Sequence, residues 1–212
     1  MIGILGGTFD PVHYGHLRPA LEVKDALGLT EVRLIPCRVP PHRPQPLATP
    51  QQRATMLQAA IAGHDGFVVD EREFSRAGPS WTYDTLDSLR KDFPAETLCL
   101  LVGMDAFLGL ASWHRWRELS NHCHLVVMTR PGAELPERGE LGNLIVKHRL
   151  LDAAALRSRS SGMLYFQQVT QLEISGTRIR SLLQSGKDAS FLVPDRVLEI
   201  VRQQGLYNKA RL

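Results

Sequence analysis

The chain is short of cysteine, of long apolar runs and of surplus charge. Its three cysteines, Cys37, Cys99 and Cys123, are odd in number and scattered. That speaks against a disulfide framework and for reduced thiols in a cytoplasmic protein. The most apolar stretch, residues 98–111, is too short to span a bilayer and carries Asp105. The opening Met1-Ile2-Gly3-Ile4-Leu5 lacks the basic residues of a secretion signal. Lys and Arg number 25 against 22 Asp and Glu, a net charge of +3, and the basic residues alternate with acids. Neither a nucleic acid nor a membrane is therefore an expected partner, whereas a small polyanion fits. No repeat and no low-complexity tract occurs; the nearest approach is the proline-rich stretch 36–50.

What is present is an ordinary globular composition, 43% hydrophobic and 22% charged over 212 residues. That is enough for one large domain. Ile2–Leu5 is a buried strand ended by Gly6-Gly7, and a helix follows through Leu17, Leu21, Lys24 and Leu27 to Gly28. Glu31–Ile35 is a second strand. Thr49-Pro50-Gln51-Gln52 opens a helix with a cap, a proline and a reciprocal glutamine. Phe67–Val69 is strand-like, and Ser80 or Thr82 caps a helix stopped by Pro94. Leu98–Val102 is a strand, 104–119 a helix and Leu125–Met128 a strand. The tail adds strands at Leu164–Phe166 and Leu172–Ile174, a helix at Thr177–Gln184 and a last helix after Pro194, while 132–149 is polar and irregular.

This βαβα alternation predicts an α/β fold: a Rossmann-like parallel sheet with helices on both faces and a small helical C-terminal part. Residues 1–212 are expected to form a single domain, with 177–212 as its helical extension. Ligands of such sheets bind at the carboxyl ends of the strands, near the switch in strand order.

The most informative segment is Gly6-Gly7-Thr8-Phe9-Asp10-Pro11-Val12-His13-Tyr14-Gly15-His16. Paired glycines after a first strand let backbone N–H groups approach a ligand, and the next helix directs its positive end there. The segment is neither a Walker loop nor a dinucleotide fingerprint. His13 and His16, three apart, share one face of the first helical turn and can donate to phosphate oxygens. Taken singly, such glycines make a tight turn and such histidines are satisfied polar groups.

A second segment, Ile174-Ser175-Gly176-Thr177-Arg178-Ile179-Arg180, sits where tail strand becomes helix. Hydroxyls, free N–H groups and helix dipole converge there, and Arg180 presents a planar fork one turn on. On its own this also reads as a plain capped helix.

Together the two segments resemble the nucleotidyltransferases that carry His-x-Gly-His and Ile-Ser-x-Thr-x-x-Arg motifs, and especially the bacterial nicotinate-nucleotide adenylyltransferases. Gly176 departs from the pattern, which usually has a second serine there. The resemblance implies that Gly6, Gly7, Thr8, Phe9, His13, His16, Ile174, Ser175, Thr177 and Arg180 bind ATP. After strand 98–102, Gly103 permits close approach of adenosine or ribose, and Asp105 can accept hydroxyl hydrogen bonds from ATP and from the second substrate. Three further blocks match the family. Pro40-Pro41-His42-Arg43 is a stiffened loop that turns His42 and Arg43 toward an anion. Ser80-Trp81-Thr82-Tyr83 begins a helix, and the resemblance implies that the backbone at Thr82 and Tyr83 meets a pyridine carboxylate. Trp113-His114-Arg115-Trp116 puts two indoles on one helix face; the resemblance implies that Trp113 stacks on the pyridine, whereas Trp116 reads as core. Arg130 is a further residue at a strand's carboxyl end.

The implied reaction joins ATP and nicotinate mononucleotide to give nicotinate adenine dinucleotide and pyrophosphate. His13, His16 and Arg180 would be catalytic, with Mg²⁺ held by phosphates and water and no protein metal ligand. A sister enzyme with another phosphorylated acceptor and a non-catalytic nucleotide sensor are the competing readings. His122-Cys123-His124 invites a zinc reading, but alternate strand residues face opposite ways and no second ligand pair supports it. Oligomeric state stays open.

Overall fold

In the computed structural model, which describes residues 1–40 and 44–208, the apolar runs are the strands of one parallel sheet. In chain order the elements begin with β1 (Ile2–Gly7), α1 (Tyr14–Leu27), β2 (Glu31–Pro36), α2 (Pro50–Ile61) and β3 (Phe67–Val69). Then come α3 (Thr82–Asp92), β4 (Leu98–Gly103), α4 (Met104–Leu108) and β5 (His124–Thr129). The tail holds α5 (Gly139–His148), β6 (Arg149–Leu150), β7 (Leu164–Gln168), α6 (Gly176–Gln184) and α7 (Asp195–Gln203).

The strand order is β3-β2-β1-β4-β5-β7-β6, so the direction of winding switches between β1 and β4. Alternate strand residues serve two cores. Leu5, Val32, Leu34, Leu101 and Val126 pack against α1, α2 and α7, while Ile2, Ile4, Leu100, Val102 and Val127 pack against α3 and α4. Burial on both faces is why the strands read as nearly continuous apolar runs. β1 pairs with β2 through Gly7–Pro36, but its pairing with β4 is recorded only through Ile4–Leu100. The two strands part at their carboxyl ends, which opens the crevice where such folds take ligands. No helix among the described residues is long and apolar enough to cross a membrane.

Local chemistry fixed several ends as expected. Gly28 closes α1 in the left-handed region (φ 58°), and Thr49 and Gln52 cap α2 reciprocally. Elsewhere the structure corrects the sequence reading. Gly6 and Gly7 are the last residues of β1, so the turn begins at Thr8. The expected helix over 104–119 is broken into α4 and two 3₁₀ turns, with Arg115 left-handed (φ 53°) between them. Trp113 and Trp116 therefore do not share a helix face. Leu172–Ile174 is irregular, not a strand, and the supposedly irregular 132–149 contains α5 and runs into β6. The residue at the cap of α3 is Trp81, and neither Ser80 nor Thr82 caps it.

Candidate active site

The turn after β1 is pinned from several directions. Phe9, buried and left-handed (φ 50°), fills the space beneath Gly7, where an added Cβ would come within 2.9 Å of its ring. Arg53 is 0% exposed, and its guanidinium donates to the carbonyls of Thr8 (2.7 Å), Cys37 (2.6 Å) and Ala48 (3.3 Å). Three backbone acceptors satisfy a buried cation that would otherwise be costly, and together they lock the turn to the exit of β2.

Asp10 is the second anchor. Its carboxylate, 5% exposed, accepts from Leu47 N–H (2.9 Å), Ala48 N–H (3.1 Å) and the Tyr207 hydroxyl (2.7 Å). Burial beside that carboxylate pushes the Tyr207 phenol far above its ordinary range, so it remains a donor. Tyr207→Phe should therefore lower stability by about 1–2 kcal/mol, measured by chemical denaturation. An unchanged value would mean that this hydroxyl does not hold the turn.

His13 is not in the first helical turn but at the cap position, with extended backbone (φ −151°, ψ 169°). Its N–H donates to His16 Nδ1 (3.3 Å), which puts the proton of a neutral His16 on Nε2. The two rings stack with centroids 3.7 Å apart. His13 is 5% exposed, and its Nδ1 is buried with no partner among the described residues. Burial drives its pKa down to about 4, so the free protein holds it neutral at pH 7. The unfolded chain takes up that proton near pH 6.5, so stability falls as pH drops from about 6.5 to about 4, by roughly 3 kcal/mol for this group. Unfolding of His13→Asn should show a correspondingly weaker pH dependence across that window.

The distal segment meets this turn directly. Arg180 Nη1 donates to the Asp10 carbonyl (2.6 Å), and its Nη2 donates to Thr177 Oγ1 (3.2 Å). Ser175 caps α6 through Arg178 N–H (3.2 Å). A Cβ on Gly15 would lie 3.1 Å from the Ile174 carbonyl, and one on Gly176 would lie 3.0 Å from the Asp10 carbonyl. Gly176 thus fits this turn more closely than a serine would without a shift. The starts of α1 and α6, far apart in sequence, converge on one place.

Gly103 ends β4 beside the crevice with open space above its Cα, and Asp105 lies exposed in the first turn of α4. Arg130, exposed just after β5, lines a cleft of about 450 Å³ with Glu22, Thr170 and Glu173. Thr82 and Tyr83 begin α3, where Trp81 supplies no side-chain cap. The 113–116 segment packs on that start: His114 stacks on Trp81 (4.9 Å) and the Arg115 guanidinium lies 3.6 Å from the Tyr83 ring centre. Trp113 is partly buried beside the same core. His42 and Arg43 lie outside the described residues.

The cytidylyltransferase-like family model matches residues 4–182. The chain belongs to this family. A probable nicotinate-nucleotide adenylyltransferase of Methylococcus capsulatus is 50% identical, covering 99% of this chain and 100% of the relative. One of the same name from Aeromonas hydrophila is 51% identical, covering 99% and 98%. A solved Plasmodium falciparum nicotinic acid mononucleotide adenylyltransferase complexed with NaAD shares the fold at a TM-score of 0.74 and 18% identity, over 97% of this chain and 96% of that one.

Within this nucleotidyltransferase some functional neighbours carry no motif. Tyr207 and the 47–48 backbone reach Asp10 only through the tertiary fold. Arg53 did leave a trace: it shares the spacing of Met56, Leu57 and Ala60 on the buried face of α2, where a lone charge needs acceptors. His124 has its ring nitrogens engaged by Leu156 and Arg159 carbonyls and by Met163 N–H, which makes it a satisfied core residue.

Proposed function

We propose that the protein transfers the adenylyl group of ATP to nicotinate mononucleotide, releasing pyrophosphate and forming nicotinate adenine dinucleotide, a step of NAD biosynthesis. One observation carries the reading: Arg180 on α6 bonds to the backbone of the turn that presents His13 and His16. Two helix starts with their basic side chains and N–H groups are thereby brought side by side, an arrangement suited to a polyphosphate.

The mononucleotide phosphate oxygen, already anionic, attacks the α-phosphorus in line as the bond to pyrophosphate breaks. No covalent enzyme intermediate is needed; the residues orient the reactants and stabilise spreading charge. His13, His16 and the backbone of Gly6–Phe9 hold the triphosphate. Ser175, Thr177 and Arg180 receive the departing pyrophosphate, and Gly103 and Asp105 border the nucleoside. The uncapped start of α3 at Thr82 and Tyr83 takes the pyridine carboxylate, with Trp113 against the ring. His42, Arg43 and Arg130 complete the anion contacts. Residues 177–212 act as an extension of this one domain, supplying Arg180 and Tyr207.

The donor set fits magnesium carried on the triphosphate rather than a protein-held ion. Asp10 is committed to Leu47, Ala48 and Tyr207. When bound, the ion would neutralise charge on the phosphate oxygens. The three free thiols accord with a cytoplasmic setting.

The test is dinucleotide formation from ATP with either the acid or the amide mononucleotide. Faster turnover of the acid is expected. Preference for the amide, or for an unrelated phosphorylated acceptor, would overturn the substrate assignment, and no pyrophosphate release with any acceptor would favour a sensor.

A further inference from the structure

A buried polar cluster outside the motifs joins two parts of the mononucleotide side. Glu73 is 6% exposed, and its Oε1 accepts from the Thr85 hydroxyl at 2.5 Å. Thr85 stands in the first turn of α3, where its N–H donates to the Trp81 carbonyl and its Oγ1 accepts from Arg76 Nη2. That guanidinium nitrogen is 3.4 Å from Glu73 Oε1. On the other side, the Ser80 hydroxyl accepts from Arg38 N–H (2.9 Å) and Val39 N–H (3.4 Å), and Ser80 N–H donates to the Val39 carbonyl (2.9 Å). The Arg76 carbonyl in turn accepts from Arg38 Nη1 (2.6 Å).

Burial is the largest influence on Glu73 and raises its pKa, against the pull of Thr85, Ser80 and Arg76. Glu73 Oε2 and Arg76 Nη1 are both buried without partners among the described residues. A pair left half-satisfied is a poor source of stability; what it supplies is fixed geometry. One carboxylate holds Thr85 at the start of α3 and pairs with Arg76, whose carbonyl receives Arg38 from the segment that leads into Pro40.

We propose that Glu73 is a positioning residue for mononucleotide recognition: through Thr85 and Arg76 it sets the α3 start against the segment after β2, and so governs selection of the pyridine acid. This rests on the function proposed above. Glu73→Gln keeps the size and removes the charge; Ser80→Ala cuts only the link to the loop and tests the same claim if the first variant fails to fold. In Glu73→Gln, the mononucleotide KM should rise about tenfold and the acid-over-amide ratio fall similarly, while the ATP KM stays within about twofold. Ser80→Ala should move the same two quantities in the same direction by a smaller factor. Equal increases in both KM values would overturn the proposal. So would a lower Tm with KM and acid-over-amide ratio unchanged. If the unaltered protein makes no dinucleotide from nicotinate mononucleotide, it is the function itself that fails, before any variant is compared.

Discussion

Replacing His16 with alanine should lower turnover by ~10²–10³ while leaving the protein folded. His16 is the third residue of α1, and its Nδ1 is already occupied by His13 N–H. The ring is therefore set in orientation and tautomer before substrate arrives, and no reorganisation is needed as charge develops on phosphate. Loss of such a preorganised donor acts mainly on the transition state, so kcat falls more than the ATP KM rises. Steady-state kinetics with a matched thermal melt separates this from misfolding. Near-normal turnover in a folded His16→Ala protein would remove His16 from the chemistry.

Asp10→Ala should do larger structural damage. The change strands Leu47 N–H, Ala48 N–H and the Tyr207 hydroxyl, and withdraws the carboxylate that lies 3.7 Å from Arg180. The cost is on the order of 3 kcal/mol, read as a fall of roughly 6–12 °C in Tm. Activity falls further than that loss of folded protein accounts for, because Asp10 also shapes the carbonyl that receives Arg180. A variant that melts normally would show that the turn is held by Arg53 and the chain around it alone.

Features governed by neighbours in sequence were readable in advance. The reciprocal cap at Thr49 and Gln52, the glycine stop at Gly28 and the apolar runs of β1, β4 and β5 each report local physics. The break in 104–121 was concealed because its apolar residues keep a helical rhythm. The left-handed Arg115 lays its guanidinium on Tyr83 of α3, a contact between elements that no local pattern announces. α5 was missed because Gly139 and Gly142 dilute its pattern, although Leu141, Leu144 and Ile145 still face the core. In the site, the starts of α1 and α6 could be read to within a residue from their motifs, whereas the cap of α3 was misplaced. The clamp formed by Asp10, Arg53 and Tyr207 could not, since its partners are backbone groups and a hydroxyl brought together only by folding. The same holds for Glu73, whose spacing to Ser80 and Thr85 follows no familiar pattern.

The central claim is that the starts of α1 and α6 build a single receptacle for a triphosphate. A crystal structure with a non-hydrolysable ATP analogue tests it most directly. The account predicts phosphate oxygens within hydrogen-bond distance of both His16 and Arg180, with the α-phosphorus open on the side of α3. A triphosphate held by one of these residues while the other faces solvent would contradict it.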